Sequence, residues 1–350
     1  MNFFVTYSNR DVESHSNRSC DSTSGVAINN LTIDVLKNYH NTDDVEAIVD
    51  SIHDAQNNAS IKSVFDELND YAADYFHVAP RLSLEVRDNT VSISQSKDIV
   101  YINSVLSSAF FSFVAVQLYR SFLFDNGKGV ETDEDLFCYR YTLFILNDMC
   151  FNDFRQPTIF PSEESVLLLM ERFKDNQHLL DLASDIFYTS VAFALLHEMS
   201  HAYLNHDEAE VGIKKELEAD AVAYKLFLNF CDDVYQDKIK SNFKECMQPY
   251  TYMAPMYLLE FYYIVYYTGS FLCPYHVPAG GEMFQDIVDR KEALQDVFCS
   301  WDGGTDETEA YALYNAYLDG EESFLHSFVA SDKAGLLDKL KERNSKRYYG

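Results

Sequence analysis

Phe193-Ala194-Leu195-Leu196-His197-Glu198-Met199-Ser200-His201-Ala202-Tyr203-Leu204-Asn205-His206 is an apolar helical stretch that ends in an HExxH pentapeptide, His197 to His201. Each helical residue advances by about 100°, so positions four apart stack on one face. His197 and His201 therefore present two imidazoles to one point. Zinc accepts neutral imidazole nitrogen at ~2.0–2.1 Å, and a catalytic zinc takes three protein ligands and keeps a fourth position open. Glu198 reaches the edge of that position, where a carboxylate can take a proton from attacking water. Ile186, Phe187, Val191, Phe193, Leu195 and Leu196 make the helix apolar nearly all round, which marks it as central. Two rings and a carboxylate inside it are costly without a partner. Ser190 and Ala194, small residues on the same side, leave room for another helix or for substrate.

The third donor is expected from the next helix, where Glu216-Leu217-Glu218-Ala219-Asp220 places Glu216 and Asp220 on one face. Glu218 is rotated by about 200° from Glu216 and cannot share that face. Glu216 is the expected ligand and Asp220 the carboxylate that accepts the other N–H of a ligating histidine and so fixes its tautomer. Asp207, six positions past His201, is the alternative ligand; it requires a break in the helix. His206 is rotated about 140° from His201 on a continuing helix and is assigned to the turn or the surface. The segment from Asn205 to Gly212 is short enough to fold the two helices into an antiparallel hairpin.

Outward from this pair the pattern is helix after helix. Segments at 105–124, 133–149, 162–174, 181–206, 210–232, 253–268, 283–299, 306–319 and 322–342 carry helical apolar spacing, with Thr132 and Ser162 as N-caps. Two amphipathic helices precede them, one through Val45, Ile48, Val49 and Ile52, the other at 61–76. Only 82–103 changes period. Leu82–Val86, Thr90–Ser94 and Ile99–Asn103 alternate as strands, with Arg87-Asp88-Asn89 as a turn, and predict a small antiparallel sheet. The expected fold is thus α+β and mainly helical, with that sheet packed with the helix hairpin. Residues 1–40 form an irregular N-terminal segment, and 41–350 one domain with its metal core at about 181–285 and a helical C-terminal part at 283–345.

With 47% hydrophobic and 15% aromatic residues in 350, the chain can bury a large core. Its 56 acidic against 27 basic side chains give a formal charge of −29, which repels nucleic acid and anionic membranes and favours a basic polypeptide as partner. Seven cysteines without CxxC pairs point to reduced thiols in the cytoplasm. The N-terminus lacks the pattern of a secretory signal, and the apolar stretches 105–118 and 253–268 are read as buried helices rather than membrane spans.

HExxH followed by ExxxD on the next helix resembles the gluzincin zinc metallopeptidases. The fuller strings FALLHEMSHAYLNH and KELEADAVAYKLF look like cytosolic bacterial members, in particular phage-exclusion Lit-type, ImmA/IrrE-like and M48-like peptidases. The resemblance covers roughly 185–285. It implies Zn2+ held by His197, His201 and Glu216 with Glu198 as general base, acting on a protein or peptide substrate, in a defence or regulatory role. Some such proteins carry a His-Pro-rich element after an apolar helix, and Tyr275-His276-Val277-Pro278-Ala279 lies in that position. By that analogy His276, or else Tyr275, stabilises the transition state, although Val277 replaces a proline and Glu282 stands where arginine is usual. The rival reading is a non-catalytic, zinc-containing interaction or sensor protein that keeps the same fold.

Overall fold

A computed structural model of the chain describes residues 59–87, 94–96, 98–125, 138–139, 142, 173, 176–206, 212–241, 243–272, 282–301 and 312–320. The chain divides into two compact units, Met1–Ser63 with Ile159–Gln177, and Val64–Thr158 with His178–Gly350; nearly all the described residues belong to the second. Expectations for 1–40, the helix through Val45 to Ile52, the turn residues Asp88 and Asn89, Thr132, Ser162, Asp207, Tyr275, His276 and the helix at 322–342 lie outside the described residues.

The described chain is mainly helical. In order it runs α1 Ala59–Tyr75, β1 Ser83–Arg87, β2 Ser94–Ser96, β3 Ile99–Asn103, α2 Ser104–Asp125, α3 Gln177–Tyr203, α4 Ile213–Tyr235, two 3-10 turns at Lys244–Cys246 and Pro249–Met253, α5 Ala254–Leu272 and α6 Glu282–Cys299. Residues 312–320 are also helical. Helix boundaries differ from the sequence expectation by a few residues, and the described residues of the expected helices at 133–149 and 162–174 (138, 139, 142 and 173) are helical.

The sheet corrects the antiparallel expectation: it is mixed, in the order β1-β3-β2. β1 pairs parallel with β3 in the register Ser83↔Ile99 to Arg87↔Asn103, and β2 pairs antiparallel with β3, Ser94↔Tyr101 to Ser96↔Ile99. The reason lies in β3, whose Ile99-Val100-Tyr101-Ile102 run is apolar on both faces and suits the central place. The polar Ser94-Gln95-Ser96 and the alternating Ser83-Leu84-Glu85 suit edges. The middle strand, expected at 90–94, is described only as Ser94–Ser96.

The core of the second unit gathers around phenylalanine rings from α2, α3 and α5. Phe110 lies 5.2 Å and Phe113 5.1 Å from Phe261, while Phe111 meets Phe187 edge-on at 6.0 Å. α3 is long and apolar enough to cross a membrane by length and composition alone, but 78% of its apolar window is buried inside the fold. Phe193 of α3 packs edge-on against Tyr224 and Phe227 of α4, and Tyr224 stacks on Phe298 of α6. This packing sets α4 between the HExxH helix and α6.

Residues 312–320 close over α2 and α5: Tyr317 meets Tyr257 at 4.6 Å, and Ser121 Oγ donates to the Ala316 carbonyl. Gly320 is needed there, because a Cβ on it would lie 2.5 Å from the Gln117 carbonyl oxygen. Gly320→Ala is expected to cost about 1–3 kcal/mol through overpacking. Denaturant unfolding checks this; an unchanged midpoint would mean that the two backbones can part without penalty.

Three helices end alike. His77, Asn205 and Asp237 all have φ between 55° and 57°, in the left-handed region. The residue after each returns a hydrogen bond five positions back: Val78 to Ala73, His206 to His201 and Lys238 to Asp233. Each left-handed residue itself bonds three positions back, at Asp74, Ala202 and Val234. This is the Schellman motif, which satisfies orphan carbonyls at the helix end.

Candidate metal and catalytic site

His197 and His201, one turn apart on the buried face of α3, stand with their rings nearly perpendicular at 4.6 Å and their Nε2 atoms 3.1 Å apart. The first turn of α4 brings Glu216 against both: Oε2 lies 3.3 Å from His197 Nε2 and Oε1 3.4 Å from His201 Nε2. α4 starts directly after Gly212, so Glu216 lies in its first turn, where a carboxylate is favoured by the helix dipole. The three residues each offer a donor atom within 4.8 Å of the others. A tetrahedral cation with bonds of ~2.0–2.1 Å needs donors separated by roughly 3.3–3.4 Å. Two imidazole nitrogens and a carboxylate at 3.1–3.4 Å fit zinc in both chemistry and spacing.

Asp220, one turn beyond Glu216, is completely buried. Its Oδ1 lies 2.8 Å from His197 Nδ1, a close charge contact rather than a well-aligned hydrogen bond. Arg290 of α6 grips the same carboxylate through Nε to Oδ2 at 2.6 Å and Nη2 to Oδ1 at 2.9 Å, and its Nη1 reaches Glu216 Oε2 at 3.3 Å. Burial works against charge on Asp220, but His197 and Arg290 hold its carboxyl below the usual range. Glu216 is held low in the same way, burial being overcome by hydrogen bonds from His197 and His201. Burial also lowers the His197 ring, yet Asp220 beside it prevails and carries it up to about 9. Glu198 is half-buried; burial pushes its carboxyl up to about 7 against the pull of His197.

The structure thus brings together His197, His201, Glu216 and Asp220, with Glu198 on the same helix turn. Glu218 is exposed and is not among the three converging donors; its Oε2 lies 3.5 Å from His206 Nε2. Two neighbours escaped the sequence reading. The helix period places His206 at the turn or surface on a continuing helix, but α3 stops at Tyr203 and the left-handed Asn205 swings the His206 ring back to His201, Nδ1 to Nδ1 at 2.8 Å. Arg290 sits 70 positions from Asp220, in a helix with no motif. The available signal was indirect: a carboxylate on the apolar stripe of α4 requires a cation nearby.

Arg290→Met would leave the Asp220 charge buried with, among the described residues, the His197 ring alone against it. A loss of about 3 kcal/mol is expected, the lower end for breaking a buried pair, since Arg290 is partly exposed. Unfolding of the metal-free protein measures this; an unchanged midpoint would show that Asp220 is solvated in the variant.

Residues 122–261 match the family model described as Peptidase U49. The match spans less than half of the 350 residues but includes His197, Glu198, His201, Glu216 and Asp220, while Arg290 lies beyond it. This likeness supports a peptidase. No curated protein and no solved structure matches the chain.

Proposed function

We propose that this protein is a zinc-dependent endopeptidase that hydrolyses peptide bonds of an intracellular protein, with His197, His201 and Glu216 as ligands, Asp220 steadying His197, and Glu198 as general base. The observation that carries the reading is the trio of donor atoms at 3.1–3.4 Å, with a carboxylate one residue from the first of them. When bound, zinc supplies a Lewis acid that polarises the scissile carbonyl and makes water acidic enough to attack near neutral pH. Glu198 takes a proton from that water as its oxygen bonds to the carbonyl carbon. The same carboxyl then hands the proton to the amine nitrogen as the C–N bond breaks, giving a carboxylic acid and a free amine, and the acid's proton passes to the amine or to solvent as the products leave. His276 keeps the oxyanion role that the gluzincin resemblance implies.

Substrate access is proposed along the sheet. Arg81, just before the edge strand β1, donates from Nη2 to the Ala202 carbonyl at the end of α3 at 2.9 Å, so β1 starts beside the HExxH helix. An extended peptide adds readily to such an edge. The net charge of −29 favours a basic segment there. A cytoplasmic setting, and a defence or regulatory role, belong to the same proposal.

The test is metal analysis of the purified chain, followed by a search for new protein N-termini in cells expressing it, with and without a permeant zinc chelator. Stoichiometric zinc and chelator-sensitive termini are expected. Zinc without any new termini would favour the non-catalytic sensor or interaction protein, and a chain that takes up no zinc would sink the metal site.

A further inference from the structure

We infer that His206 is a positioning residue of the metal site: its Nδ1 accepts the Nδ1–H of His201 and holds that ring with its bare Nε2 turned toward His197 and Glu216. The inference rests on the metal-site reading above.

The placement follows from the backbone. A Schellman turn brings the residue after the left-handed position over the side chain five positions earlier. The same turn at the end of α4 sets Lys238 over Asp233, Nζ to Oδ1 at 3.2 Å. At the end of α3 the two residues so joined are His201 and His206. Their ring centroids lie 5.0 Å apart and their Nδ1 atoms 2.8 Å, hydrogen-bond distance for one donor and one acceptor.

Two facing ring nitrogens share one proton, and only one arrangement leaves His201 able to ligate. His201 Nε2 faces His197 Nε2 and Glu216 Oε1, so it must carry the lone pair and its Nδ1 must carry the proton. His206 Nδ1 is then the acceptor, and the His206 proton sits on Nε2. That atom points to Glu218 Oε2 at 3.5 Å, an acceptor at the solvent edge. The chain His201–His206–Glu218 therefore has one consistent set of proton positions.

Each ligand ring is thus braced at Nδ1, His197 by the Asp220 carboxylate and His201 by a half-buried ring. Such partners fix ring orientation and typically change metal affinity about 10- to 100-fold when removed. His206 is no fourth ligand here, because the nitrogen nearest the site is turned to His201 Nδ1, on the side away from Glu216.

Zinc affinity of the full-length chain, measured by competition with a chromophoric chelator, tests this, with metal-free unfolding midpoints and Co2+ absorption spectra alongside. His206→Phe, which keeps the bulk but loses the acceptor, is expected to lower zinc affinity about 10- to 100-fold and to alter the Co2+ spectrum. His206→Asn offers an amide oxygen near the same place and is expected to recover most of that loss. Should His206→Phe not fold, Asn205 carries the test. Asn205→Val opposes the left-handed turn and should weaken zinc binding, and Asn205→Gly should retain it.

Unchanged affinity in the folded His206→Phe protein overturns the inference, as does an equal loss in the Phe and Asn variants. A change in the metal-free midpoint alone marks His206 as merely structural and overturns it too. Wild-type protein that binds no zinc removes the metal reading itself, an outcome distinct from the others.

Discussion

Replacing Glu198 by Gln is expected to lower proteolysis by about 10³-fold, or ~4 kcal/mol in the barrier, while leaving zinc content and unfolding midpoint at their wild-type values. The separation is what makes the variant informative. His197, His201 and Glu216 are the three residues whose donor atoms could hold a metal ion, which under the proposed function leaves Glu198 for proton transfer rather than ligation. Its side chain is half-buried, and the amide has the same shape, so packing is preserved. An amide nitrogen cannot take the proton of water, and its oxygen is a poor base at neutral pH. New protein N-termini in cells expressing the wild type should therefore be absent with the variant. If they persisted at wild-type abundance in a zinc-loaded variant, Glu198 would not be the base. Loss of zinc together with activity would instead place Glu198 among the ligands.

What was legible in the sequence is what a helix period dictates. The spacing between His197 and His201, and between Glu216 and Asp220, puts each pair on one face whatever the rest of the chain does. The structure brings the two faces together. The mainly helical character was readable for the same reason, since Val64, Phe65, Leu68 and Ala72 repeat at helical spacing and are buried. Three features were not readable, for separate reasons. The parallel pairing of β1 with β3 depends on which strands become neighbours in the sheet, and a local turn signal such as the sequence carries at 87–89 does not report that. The end of α3 depends on a left-handed asparagine, a conformation that local pattern permits at many positions and tertiary contacts select at few. Arg290 meets Asp220 only because α6 packs on α4, a contact without local signature.

Glu216→Ala should strip the zinc, whereas Glu218→Ala, two positions away on the same helix, should spare it. Zinc in small folded sites is held by about 10–16 kcal/mol, so one of three protein ligands accounts for roughly 3–5 kcal/mol, a loss of about 10²–10⁴ in affinity. Glu216 is the residue positioned to supply that share, because its two oxygens lie 3.3 and 3.4 Å from the two Nε2 atoms. Removing it also withdraws one partner of Arg290, but Asp220 retains the guanidinium through its two shorter contacts, so the helix pair should still fold. Glu218 is exposed and, among the described residues, reaches His206 at 3.5 Å, at the far end of the chain that braces His201. Its removal should change zinc affinity by no more than a few-fold, below the ~10-fold typical of a direct neighbour of a ligand. Chelator competition on both purified variants decides the matter. Retained affinity in Glu216→Ala with loss in Glu218→Ala would put the metal on the other face of α4, and the Asp220–Arg290 pair would then be a structural ion pair unconnected with catalysis.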